Sequence, residues 1–331
     1  MHVPHLTFSE RLAMNLTLLR LPFFLIYVSL LGHHYSKRAN GRPLNRILNG
    51  ETAYFVLSHL SIRQLQAVSG SSLVGYAKWG KGRKIKQGVD ELSVEGDSDS
   101  HARIMWVGPR ETEFVVIYCH GGGFVGPLSD FQVEFWYRMQ QALLARNKLN
   151  LGVAILQYST YPAPFPTQLN QLLSAIQHIM STGLVGYILH PSPLVALSPS
   201  PSELSGFAGM CLISPWSMPI DIHTEDDSFD LVPSECLGLW IDTYLSTMPA
   251  SHHVYAQPDT VPSAGGWFAG LNTITRRILI TAGRNEVLYS SFVRLSEAMD
   301  ACVKLDVQTG GVHYDAMFDK YWHEVKGAAP G

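Results

Sequence analysis

Charge and cysteine are both scarce in this 331-residue sequence. Lys, Arg, Asp and Glu make up only 15% of it and sum to a net −3, so no basic face exists to neutralise a phosphate backbone, and nucleic acid is excluded as a partner. Cys119, Cys211, Cys236 and Cys302 are the only cysteines, and none forms a C-x-x-C pair. That spacing excludes a disulfide scaffold and a zinc site. Cys119 and Cys211 lie in apolar runs and read as small buried hydrophobes in a reducing, intracellular setting. There is no internal repeat. Apolar residues reach 46%, which supplies a sizeable core and excludes global disorder.

A long uninterrupted hydrophobic run is also missing. Leu12–Gly32 has about the length of a bilayer-spanning helix, and His33, His34, Lys37, Arg38, Arg42 and Arg46 follow it. Arg20 lies mid-segment and Pro22 interrupts it, so the longest uncharged run, Leu21–Gly32, is too short to span. No A-x-A-like cleavage site follows, which disfavours a removed signal peptide. The segment reads first as a buried or membrane-surface helix of a cap, and second as a signal anchor. Membrane-surface contact through the N-terminus is therefore an expected partnership. The sequon Asn15-Leu16-Thr17 falls inside this apolar stretch, where glycosylation is awkward.

Thr52–Ser69 is compatible with helix, and Gly80–Ser100 reads as an exposed linker. The chain thus divides into residues 1–103 (apolar segment, cap helices, linker) and a core over 104–331. Within the core, Phe114–Cys119, Gly152–Tyr158, Phe207–Ile213, Arg277–Thr281 and Val303–Gln308 read as buried strands. Phe131–Asn147 (with Asp130 as N-cap), Gln168–Met180, Ser290–Ala301 and Asp315–Val325 read as helices. Strands alternating with helices of this length predict a mostly parallel α/β sheet covered on both faces.

His120-Gly121-Gly122-Gly123-Phe124 follows the first buried strand. Consecutive glycines let a backbone approach a ligand and aim N–H groups at a developing oxyanion. Gly121-x-Gly123-x-x-Gly126 also matches a dinucleotide fingerprint, but Pro127 follows and no acid stands about 20 residues on, so that context fails. The HGGG run resembles the oxyanion motif of hormone-sensitive-lipase-like esterases, an α/β-hydrolase group. The Gln157–Pro166 segment, the Leu212-Ile213-Ser214-Pro215-Trp216 run, Ala282–Leu288 and Gly310–Asp315 are similar to further segments of that family. The resemblance covers about residues 105–325 and implies an α/β-hydrolase domain with an N-terminal helical cap. By resemblance, Gly122 and Gly123 supply the oxyanion donors and His313 is the general base. Glu286 is the acid that orients it, following the acid-before-histidine order of the fold. No metal or organic cofactor is implied, and a hydrophobic ester or acyl compound is the expected ligand, suited by the aromatic-rich region Trp216–Tyr244.

What the family requires and this sequence lacks is the nucleophile. No serine has glycine at both −2 and +2. In the interval 181–206, Ser-Thr-Gly matches the stretch before the elbow and Leu184–His190 resembles the end of the helix after it, so the central elbow strand reads as absent. Its loss predicts unpaired neighbouring strand edges. Pro262-Ser263-Ala264-Gly265-Gly266 resembles an elbow but has Val261 in place of the first glycine and reads as a loop. Two explanations compete: coding sequence clipped near Gly183, or a non-catalytic pseudoenzyme that keeps the pocket for a hydrophobic ligand.

Overall fold

The computed structural model describes residues 3–31, 42–94, 102–112, 114–181, 187–190 (backbone), 207–217, 222, 229–260, 266–275, 277–299, 303–315 and 317. Among the described residues four helices come first: α1 (Phe8–Leu30), α2 (Leu44–His59), α3 (Ile62–Ser69) and α4 (Ser72–Arg83). The strands are β1 (Gly88–Glu91), β2 (Arg103–Val107), β3 (Phe114–Cys119), β4 (Leu151–Gln157), β5 (Tyr187–His190), β6 (Phe207–Ile213), β7 (Ile278–Gly283) and β8 (Val303–Gln308). Between them run α5 (Asp130–Asn147), α6 (Thr167–Ser181), α7 (Ser234–Leu245), the short α8 (Leu271–Ile274) and α9 (Tyr289–Met299).

The eight strands form one sheet in the order β1-β2-β4-β3-β5-β6-β7-β8. β1 and β2 pair antiparallel at one edge, β2 pairs antiparallel with β4, and the rest is parallel. Apolar runs with β-branched residues become the central strands because both faces are covered. Alternate side chains of β3 enter two cores: Val115, Ile117 and Cys119 on one side, Val116 and Tyr118 on the other. The first core is closed by α6, α7 and α9, the second by α4 and α5. Each fully buried large side chain, such as Phe292 on α9, stabilises the fold by roughly 1.5–3 kcal/mol.

Several expectations are corrected here. The slot between β3 and β6 is filled: β5 pairs in parallel with β3 (Val115 with Tyr187 through Tyr118 with His190) and with β6. Residues 187–190, expected as a helix end, are therefore a central strand, and no sheet edge is left open there. The sheet takes its first strand from Gly88–Glu91, inside the region expected as linker and ahead of the 103/104 boundary, while Leu92 and Val94 are buried. The remainder of that stretch, 95–101, lies outside the described residues, as do most of the helix expected over Asp315–Val325 and positions 261–265 of the elbow-like loop. Ser129, not Asp130, is the N-cap of α5, its N–H bonded to Gln132 Oε1 at 3.0 Å.

Pro22 does not break α1, which runs through it for 23 residues. The helix starts at a capping box, with Glu10 N–H bonded to Thr7 Oγ1 and Thr7 N–H to Glu10 Oε2. Nor is α1 buried: only Val28 is fully enclosed, and the helix lies along the surface against α2 and α3.

Candidate active site

The loops at the C-terminal ends of the parallel strands converge on one cavity. Glu286 sits on the loop after β7 and His313 on the loop after β8. Their loops meet because Gly283 and Gly311 touch: a Cβ on Gly283 would strike the Gly311 backbone. Asn285 N–H donates to Gly311 O and Arg284 N–H to Gln308 O, pinning the two loops together.

His313 Nδ1 lies 2.9 Å from Glu286 Oε2. The other carboxylate oxygen accepts from Gly283 N–H at 2.5 Å and from Ser214 Oγ at 2.8 Å. Three donors thus fix the carboxylate, which in turn makes Nδ1 the protonated nitrogen and leaves Nε2 as the basic one. Burial alone would lower the His313 pKa, but the hydrogen bond and charge of Glu286, with the charge of Asp230, raise it overall.

Asp230 was not anticipated from the sequence. It is buried beneath the pair, accepting from His313 N–H (2.9 Å) and Leu231 N–H (2.8 Å) through Oδ1 and from Val287 N–H (2.9 Å) through Oδ2. Burial, and then the neighbouring Glu286, raise its pKa. It carries no motif spacing, since it lies on a segment between β6 and α7 that only the fold brings under the histidine. Ser214 stood inside the Leu212–Trp216 run; its hydroxyl also accepts Tyr314 N–H at 3.2 Å.

The His120-Gly121-Gly122-Gly123 turn forms the opposite wall. Gly122 adopts φ +119°, which a side chain rarely tolerates, and a Cβ there would lie 2.8 Å from Gly126 O. Val125 and Gly126 N–H close the turn on Gly122 O, at 2.9 and 2.7 Å. The turn is thus closed through a carbonyl, and among the described residues neither Gly122 nor Gly123 N–H is consumed by it. His120 is buried behind the turn, stacked on Tyr158 with centroids 4.2 Å apart, while Tyr158 Oη donates to His120 O. Its Nδ1 lies 2.8 Å from Gly121 O, and burial pushes its pKa down to about 4. It is a neutral structural histidine supporting the glycine turn.

The cavity holds about 310 Å³. The glycine turn and His313 face each other across it, Trp216 and Trp240 also line it, and Val56, Leu57 and Leu65 of α2 and α3 roof it. Trp216 and Trp240 of the aromatic-rich region therefore face the site. Cys119 also lines it, but burial raises the thiol to about 12, which leaves it protonated. Among the described residues no hydroxyl or thiol hydrogen-bonds to His313, and none of these residues forms a cluster able to hold a metal ion.

This strand order, with an acid after β7 and a histidine after β8, decides the architecture. The chain has the α/β-hydrolase fold. Solved structures agree: a fungal esterase from Rhizomucor miehei matches at TM-score 0.59 and 15% identity over 85% of this chain and 91% of that one. An esterase/lipase from an uncultured bacterium matches at 0.52 and 18%, covering 71% of this chain and 78% of that one. Carboxyl esterase 2 from the mycorrhizal fungus Tuber melanosporum matches at 0.53 and 14%, covering 71% and 80%. No protein-family profile matches this α/β-hydrolase chain, and no curated relative does.

Proposed function

We propose that this site belongs to a carboxylic-ester hydrolase of the hormone-sensitive-lipase-like group, acting on a hydrophobic ester. The observation that carries the reading is His313, hydrogen-bonded to Glu286 and lining the same apolar cavity as the glycine turn. The ester carbonyl would lie against Gly122 and Gly123 N–H, whose dipoles stabilise the oxyanion of the tetrahedral intermediate. His313 Nε2 would take the proton of the attacking group and return it to the leaving alcohol, with Glu286 stabilising the imidazolium. Attack forms the bond to the carbonyl carbon and collapse breaks the bond to the alkoxy oxygen, releasing the alcohol; where the attacking group is a hydroxyl of the chain, water then attacks the acyl carbon in the same way and releases the carboxylic acid.

The absence of G-x-S-x-G favours a second reading, a pseudoenzyme that binds esters in the same cavity. With base and oxyanion hole alone, activation of water would give only about 10³–10⁴-fold over the uncatalysed rate. Covalent labelling of the full chain by a fluorophosphonate, with peptide mapping of the adduct, separates the two. A labelled serine together with turnover of p-nitrophenyl esters establishes the hydrolase. Ester binding with neither label nor turnover establishes the binder.

A further inference from the structure

We propose that α1 is an interfacial helix whose outer face lies in the headgroup–acyl boundary of an anionic bilayer, parallel to its plane. Phe8, Leu12, Leu19, Phe23, Ile26 and Leu30 are all exposed, Phe8 at 83%, Phe23 at 75% and Leu30 at 80%. At about 100° per residue these positions project into one narrow sector of the helix. A continuous apolar stripe of this length is more than a soluble surface ordinarily leaves open to water.

The inner face of α1 is already engaged. Val28 is fully enclosed, Met14 and Leu18 pack on the core, and Phe24 meets Phe55 of α2 with ring centroids 5.0 Å apart. Gln64 Nε2 donates to Glu10 O at 2.8 Å, and Arg63 pairs with Glu10 at 2.9 Å. A helix docked on protein along its length cannot also cross a bilayer surrounded by lipid, so its open face can only rest on one.

Charge selects the lipid. Arg11 and Arg20 are exposed and flank the stripe on its two sides, whereas Glu10, the one acid of the helix, is turned inward to Arg63. Cationic flanks around an apolar stripe complement anionic headgroups. The same flanks oppose docking of this face onto a second copy of itself. α1 packs on α2 and α3, the roof of the cavity, so an ester dissolved in the bilayer would meet the site at the membrane; that clause alone rests on the hydrolase reading.

Flotation of the full chain with liposomes tests the interface without reference to activity. The wild-type chain should float with vesicles of 70% phosphatidylcholine and 30% phosphatidylglycerol at low salt, and alkaline carbonate should release it. Leu19→Glu with Phe23→Glu, both at exposed positions, should lower partitioning at least tenfold with an unchanged circular dichroism spectrum. Arg11→Glu with Arg20→Glu should remove the preference for the anionic vesicles over pure phosphatidylcholine. A wild-type chain left in the soluble fraction, variants that float equally well, or resistance to carbonate would each overturn the proposal. So would a vesicle-free dimer that Leu19→Glu with Phe23→Glu converts to a monomer.

Discussion

At the scale of single residues, the site is governed by where protons sit on two histidines shifted in opposite directions. His120 has its pKa depressed by burial to about 4, so between there and its unfolded value the folded chain keeps it neutral while the unfolded chain protonates it. Below its unfolded value of about 6.5 the unfolded state binds more protons, and the stability it contributes falls as pH drops from there toward 4. Between pH 7.5 and 4.5 that loss amounts to about 2–3 kcal/mol. Urea unfolding of wild type and His120→Gln at the two pH values should show a flatter acid limb in the variant. His313 and Asp230 have raised values, so their contributions are present at low pH and are lost as pH rises. For the proposed hydrolysis the sign is different, because His313 as general base would work only when neutral. The acid limb of the pH–rate profile should therefore lie above the usual histidine value. Glu286→Gln should move it downward while lowering kcat/KM by 10²-fold or more. Gly122→Ala places a Cβ near Gly126 O at φ +119° and should destabilise by about 1–3 kcal/mol, abolishing ester turnover or binding with it.

Elements are held in place by a few buried polar ties. Glu134 of α5 is buried, accepting from Trp79 Nε1 of α4 at 2.8 Å and pairing with Arg83 and with Arg138. Removing the carboxylate takes that acceptor from the buried Trp79 N–H and a counter-charge from Arg83 and Arg138. Glu134→Ala should lower unfolding free energy by about 2–3 kcal/mol in denaturant titration, where a purely exposed pair would show under about 1 kcal/mol. The short β5 is an element whose presence the sequence concealed. It completes the ladder on both sides, so a proline at Leu189 removes a central donor. Leu189→Pro should destabilise by about 3 kcal/mol or more, or abolish folding. A neutral effect would mean that the sheet is not continuous at that place.

Across the whole molecule, the N-terminal region is tied to the histidine loop by ion pairs. Arg42 and Arg46 follow the apolar segment in the sequence, and in the fold both pair with the buried Asp315, while Arg42 also donates to Gly310 O, 268 residues away. Asp315 in turn accepts Val312 N–H at 2.9 Å, directly beside His313. Asp315→Asn removes the charge that two largely buried arginines share. It should cost about 3 kcal/mol of stability and loosen His313, read as faster hydrogen exchange over residues 310–315.

The glycine turn could be read from a glycine run that follows a buried strand, whereas Glu286 and His313 were singled out by the family resemblance of the loops that carry them; the structure sets those two side chains 2.9 Å apart, with His313 lining the same cavity as the turn. The alternation of β-branched runs with amphipathic helices likewise set the parallel sheet, since burial on both faces writes itself into composition. Other features depended on partners remote in sequence. Asp230 takes its meaning from amides of Val287 and His313, and Arg42 from Asp315. Tyr187–His190 is a strand because β3 and β6 stand open on either side of it; four residues carry too little periodicity to declare that. Which face of α1 is free was also a tertiary matter, since the segment is apolar nearly all round and only docking on α2 and α3 decides what water or lipid must cover.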